Sequence, residues 1–99
     1  MKREIFNQYV DEVTRLFDIS KEELFTKNKK RNISEARQIL YYLCFVRPMQ
    51  VTYIEQYMVD SGYDITHSTI IHGIGAVQDR INADRDYLTL VKKIQECVH

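Results

Sequence analysis

The sequence predicts an all-α fold, a single compact domain of about five to six helices with a helix-turn-helix inside it. Three observations carry that expectation. Apolar residues recur at helical spacing along nearly the whole chain, with no competing two-residue alternation. Cap and stop residues cut this pattern into pieces of helical length. One piece closes at Ser61-Gly62 and is followed, after a brief turn, by another that starts on small polar residues, which is a helix-turn-helix arrangement. The 99 residues suffice for one core and are too few for two, so residues 1–99 are read as one domain.

The elements follow in order. Phe6, Tyr9, Val13, Leu16 and Phe17 predict a first helix from about residue 3 to 18. Ser20-Lys21-Glu22-Glu23 reads as a capping box opening a short second helix that turns Leu24 and Phe25 inward. That helix ends before Lys27-Asn28-Lys29-Lys30-Arg31-Asn32, a polar basic loop. Asn32 or Ser34 can cap the third helix. Its inner stripe is Ala36, Ile39, Leu40 and Leu43, and Pro48 marks its end. Because it is apolar on several sides, it is expected at the centre of the domain.

Thr52 is the expected cap of a fourth helix carrying Tyr53, Ile54, Tyr57 and Met58, with Gly62 as its stop. Thr66 caps a fifth, whose inner face is Ile70, Ile71, Ile74, Val77 and Ile81. Asn82 or Asp84 interrupts the chain before a last helix with Tyr87, Leu88, Val91, Ile94 and Val98. Tyr41, Tyr42, Tyr53 and Tyr57 are expected in the core or at its rim.

Composition excludes several function classes. Apolar residues are 44% and charged residues 28%, which suits a soluble globular protein rather than a disordered one. The longest apolar run, Ile39 to Val46, is far short of the roughly 20 residues of a membrane span. Glu4, Asn7, Gln8 and Asp11 interrupt any signal-peptide core, so a cytoplasmic location is expected. Cys44 and Cys97 lack metal-type spacing and read as reduced thiols. His67 and His72 are five apart and do not share the helix face that zinc needs. No nucleophile–base pair or paired-carboxylate signature is present, so neither an enzyme nor a metal or other cofactor is expected.

Charge and the fifth helix point instead to nucleic acid. The net charge is zero, which taken alone counts against duplex binding. Its distribution is uneven: Lys27, Lys29, Lys30 and Arg31 are clustered, Arg37 follows, and only Glu35 opposes them. Such a patch steers anions to one face of a neutral body. At about 100° per residue, the face opposite the fifth helix's apolar stripe carries Ser68, Thr69, His72, Gly73 and Ala76. Short side chains there would let the helix sit close to base edges. Gly73 and Gly75 each cost about 1 kcal/mol relative to alanine in a helix. The pattern leaves two explanations open, a groove-reading helix or close packing through the glycines.

Ala36-Arg37-Gln38-Ile39 and Tyr42-Leu43, followed by His67-Ser68-Thr69-Ile70-Ile71-His72-Gly73, resemble the C-terminal DNA-binding domain (domain IV) of the bacterial replication initiator DnaA. That family has an arginine-glutamine pair in a central helix. Some thirty residues later it carries a signature similar to Asp-His-Thr-Thr-Val-Ile-His-Ala. The resemblance runs from about Val10 to Ile94. It implies a DnaA C-terminal, Trp-repressor-like fold and double-stranded DNA as partner, in replication initiation or its regulation, with replication proteins as further partners. By it, Lys29 and Arg31 fall in the loop that contacts backbone and minor groove, supported by Lys27 and Lys30. Arg37 and Gln38 inherit DNA contact, and His67, Ser68 and Thr69 enter the major groove. Thr66 and His72 flank that triplet, His72 as a polar surface or phosphate-facing residue.

The departures narrow what is implied. Thr66 stands where the family has aspartate, and threonine is less selective than a carboxylate toward cytosine. Phe45 replaces a basic residue two turns beyond the arginine-glutamine pair, although Arg47 is near in sequence. The helix-turn-helix connection is a few residues longer. No GxxxxGK-type phosphate loop occurs, so no nucleotide partner is expected. The resemblance therefore implies a stand-alone relative in a bacterial cell, a phage-encoded protein among the options. The alternative kept open is a helical protein-interaction module that retains the fold without DNA binding.

Overall fold

Most of the helices begin or end where a local group satisfies the backbone. The computed structural model describes residues 2–98 and contains α1 (Lys2–Phe17), α2 (Lys21–Leu24), α3 (Arg31–Val46), α4 (Val51–Asp60), α5 (His67–Ala83) and α6 (Arg85–Cys97). α1 stops at Asp18, which takes a left-handed φ of 53°. There the Ile19 and Asp18 N–H groups donate back to the Thr14 and Arg15 carbonyls at 3.0 and 3.3 Å. The capping box opens α2: Glu23 N–H donates to Ser20 Oγ and Ser20 N–H to Glu23 Oε1, both at 3.0 Å. α4 closes through Gly62 at φ 97°. Gly62 N–H reaches the Val59 carbonyl and Tyr63 N–H the Met58 carbonyl, each at 2.9 Å. Thr66 caps α5, and Asp84 caps α6 through the Asp86 and Tyr87 amides.

Two expected caps are corrected. α3 begins earlier, with Lys30 at the cap position and no side-chain bond. Asn28 Oδ1 instead accepts from Lys30 N–H at 2.9 Å, turning the chain before the helix starts. α4 begins with Gln50 at the cap, leaving Thr52 inside the helix. Lys30 and Gln50 are both exposed, so water can take the free N–H groups of these first turns.

α3 is the hub and packs against every other helix. Ile33, Ala36, Ile39, Leu40, Tyr41, Leu43 and Cys44 are all buried along it. Ala36, Ile39, Leu40, Tyr41, Leu43 and Cys44 belong to a single apolar cluster that draws on all six helices. Burying a side chain such as Ile70 or Leu43 contributes about 1.5–3 kcal/mol. The expected inner sets are corrected at their edges, because Leu16 and Ile71 are 42% and 51% exposed. Each sits beside the buried stripe of its helix, not on it. Tyr41 is buried, whereas Tyr53 lies outside, under the Lys2 ammonium at 4.5 Å.

The most extensive contact is between α3 and α5. Gly73 explains how close it is: a Cβ there would stand 3.0 Å from Tyr41 Cδ2 and 3.3 Å from Gln38 Cγ. Gly73 therefore faces α3, not the outer face where the helical wheel set it, and close packing accounts for this glycine. Gly75 has no neighbour within 4 Å of such a Cβ. Among the described residues no helix is long and apolar enough to cross a membrane.

Candidate nucleic-acid interface

The basic loop joins α2 to α3. Lys27, Lys29, Lys30 and Arg31 are all exposed, and none pairs with a carboxylate among the described residues. The two acids four residues from either end of the cluster are engaged elsewhere: Glu23 Oε1 accepts from Ser20 N–H, and Glu35 Oε1 accepts from Arg80 on α5 at 2.7 Å. Four free cations thus stand on one short stretch of a chain whose net charge is zero.

Arg37 was expected on the same surface, and the structure places it elsewhere. It is only 6% exposed and turned inward beneath the loop. Its Nε donates to the Leu24 carbonyl at 2.9 Å. Its Nη2 donates to the carbonyls of Thr26 at 3.0 Å and Asn28 at 2.8 Å. The guanidinium lies 4.6 Å from the centre of the Tyr63 ring, a cation–π distance. The physical reason is positional. Ile33, Leu40, Tyr41 and Cys44 lie three, four or seven residues away and are buried, so Arg37 sits on an apolar stripe of α3. A charge there is tolerable because loop carbonyls satisfy it.

On α5, Thr66, His67, Ser68, Thr69 and His72 are all exposed. Thr66 Oγ1 accepts from Thr69 N–H at 3.3 Å, and the two hydroxyls are 2.9 Å apart, so the cap also orients Thr69. His67 Nδ1 stands 3.9 Å from Glu55 Oε1, a contact that is ionic only when the imidazole is protonated. Gln38 is half-buried against Gly73, beneath α5.

Loop and helix share a surface. Lys27, Tyr63, Asp64, Ile65, Thr66 and Thr69 line one open concavity of about 270 Å³. The turn between α4 and α5 contributes Tyr63, Asp64 and Ile65 to its lining, and the Tyr63 ring rests on Arg37. Sequence reasoning missed Tyr63. Its signal was its place directly after the glycine stop, where the closing hydrogen bonds fix the next residue.

One flank of this surface is apolar. Phe45 and Val46 are 40% and 39% exposed, and Phe45, Val51 and Ile71 line a neighbouring concavity with Gly75. Arg47 does not supply the missing charge. Its Nη1 donates to the Tyr9 hydroxyl at 3.2 Å and the Val98 carbonyl at 3.0 Å, tying it to α1 and the end of α6.

Comparison with known proteins identifies the family. A family model described as the bacterial dnaA protein helix-turn-helix matches residues 7–77. The chain is also 32% identical over 90 residues to a chromosomal replication initiator protein DnaA from Lachnoclostridium phytofermentans. That match takes in 86% of this chain but 19% of the relative, so the chain spans about a fifth of that protein's length.

Proposed function

Because this chain belongs to the bacterial DnaA helix-turn-helix family, we propose that its basic loop and the start of α5 hold double-stranded DNA between them. The observation that carries the reading is the shared concavity, which sets Lys27 of the loop beside Thr66 and Thr69 of the helix. Lys29 and Arg31 take backbone and minor-groove positions, with Lys27 and Lys30 on phosphates. His67, Ser68 and Thr69 enter the major groove, where hydroxyls meet base edges and the threonine methyl meets thymine. His72 lies one turn further along the same exposed side. Arg37 makes no direct contact in this reading, and Gln38 stays under α5. The setting is replication initiation or its regulation in a bacterial cytoplasm, with replication proteins as further partners and no catalysis by this chain.

The test is selection from a pool of random duplexes at two salt concentrations. An enriched motif is expected. With about five phosphates neutralised, log affinity should fall with log salt at a slope of roughly −4 to −5. Absence of binding at low salt overturns the proposal. One observation favours a second reading, a protein-interaction module that kept the fold without DNA binding: the exposed Phe45, Val46 and Ile71 flank α5 where a charge would be useful.

A further inference from the structure

Arg37 has an environment that a DNA ligand does not need. A guanidinium buried without a counter-ion costs several kcal/mol unless its N–H groups are bonded. No carboxylate pairs with it among the described residues, and loop carbonyls do the work instead. Those carbonyls belong to alternate residues, Leu24, Thr26 and Asn28, so a single side chain fixes the backbone on both sides of Lys27. Asn28 then passes the constraint onward, since its own side chain accepts from Lys30 N–H at 2.9 Å. The other face of the guanidinium rests against Tyr63 at 4.6 Å. Tyr63 is held by Met58 through the α4 stop and leads directly to the Thr66 cap. Arg37 thus touches both segments that form the candidate surface. The Nε and both Nη2 hydrogens are taken, so a phosphate could use this edge of the guanidinium only by displacing these carbonyls.

From this geometry we infer that Arg37 is a positioning residue. It locks the basic loop onto the turn that launches α5, so that loop cations and helix are preset relative to each other before DNA arrives. The inference rests on the DNA-binding reading for its purpose, although the lock itself can be tested without DNA. Presetting a loop raises affinity by removing the ordering cost that binding would otherwise carry. Lysine cannot replace the fork, because one ammonium cannot reach carbonyls spread over five residues while also stacking flat on a ring.

The experiment compares Arg37→Lys with wild type in two readouts. The first is amide hydrogen exchange of the free protein. Faster exchange is expected at Thr26 and Lys30, the loop amides that have hydrogen-bond partners, with Ile74 and Val77 still protected; an unchanged loop overturns the lock. The second is binding to a fluorescein-labelled mixed-sequence duplex, alone and in a Lys29→Ala/Arg31→Ala background. Arg37→Lys keeps the charge yet should weaken binding about tenfold, the size of ordering two or three loop side chains. In the background without two of the four cations it should cost clearly less, because half of what it positions is gone. Near-wild-type binding by Arg37→Lys, or an equal loss in both backgrounds, overturns the inference. Should Arg37→Lys fail to fold, Tyr63→Leu removes the ring alone, and the same freeing of the loop and the same non-additivity are expected. If the wild-type protein binds no duplex, the DNA reading fails while the exchange result still decides the lock.

Discussion

The start of α5 and the basic loop border one concavity, yet they are held there by opposite means. α5 is fixed by packing spread over Ile70, Gly73, Ile74 and Val77, all buried. No single contact among these is large, and their sum is the core itself. The loop has no such packing from Thr26 to Lys30, and its order depends on one guanidinium. Dispersed packing gives way only when the whole fold does. A single anchor can be lost while the fold survives. The surface therefore joins a half that is as stable as the protein to a half that can be released locally.

The sharpest break in this comparison comes from the helix side. Ile70→Ala, at a fully buried position, should destabilise the protein by about 2–5 kcal/mol in urea unfolding. Loop exchange and duplex affinity should suffer only in proportion to the unfolded fraction. Next in size are substitutions that separate grip from reading. Arg31→Ala should weaken all duplexes alike and reduce the salt slope by about 0.9. Thr69→Ala should leave the slope unchanged while costing about 1–3 kcal/mol of discrimination between sites. Both are measured by salt-dependent titration of selected and unselected duplexes.

Smaller effects refine the helix half. Gly75→Ala meets open space and should stabilise by about 1 kcal/mol through helix propensity alone, raising the melting temperature. Gly73→Ala gains the same propensity but must displace Tyr41, an overpacking cost of about 1–3 kcal/mol, so its melting temperature should not rise. The smallest effect lies outside both halves, where Arg3 pairs with Asp60 across α1 and α4. The Arg3 hydrogen bond, then that of Gln56, holds the Asp60 carboxyl below its ordinary value of 3.8. A carboxylate depressed in the folded state stabilises above its unfolded pKa, and that stabilisation is lost as pH falls through the folded value. Asp60→Asn should therefore lower the melting temperature slightly at neutral pH, with the difference closing in acid.

Much of the fold was legible because its signals are local. The Ser20–Glu23 box, the Gly62 stop and the Thr66 and Asp84 caps act within a few residues and read directly from spacing. The start of α3 was less legible, because the Asn28 turn replaces a conventional cap. At the site, the exposure of the loop cations and of residues 66 to 69 agrees with what their residue types suggest. Arg37 was misplaced because an arginine beside a glutamine reads as surface. What buries it is a set of carbonyls 9 to 13 residues earlier in the chain, which no helical wheel of α3 contains. Its alignment with Ile33, Leu40, Tyr41 and Cys44 was the available clue. Gly73 was ambiguous for a related reason, since only the partner helix decides whether a glycine faces a groove or a tyrosine ring.

The two cysteines lie in contrasting places. Cys44 is sealed in the core of α3, where burial pushes its thiol pKa up and leaves little reactive thiolate. Cys97 is exposed near the end of α6, beside a groove formed with α1 and away from the residues lining the loop–α5 concavity. A maleimide dye should therefore attach at a single place without any engineered residue. Fluorescence from that dye would report the approach of a labelled duplex in the native sequence, with every proposed contact left intact.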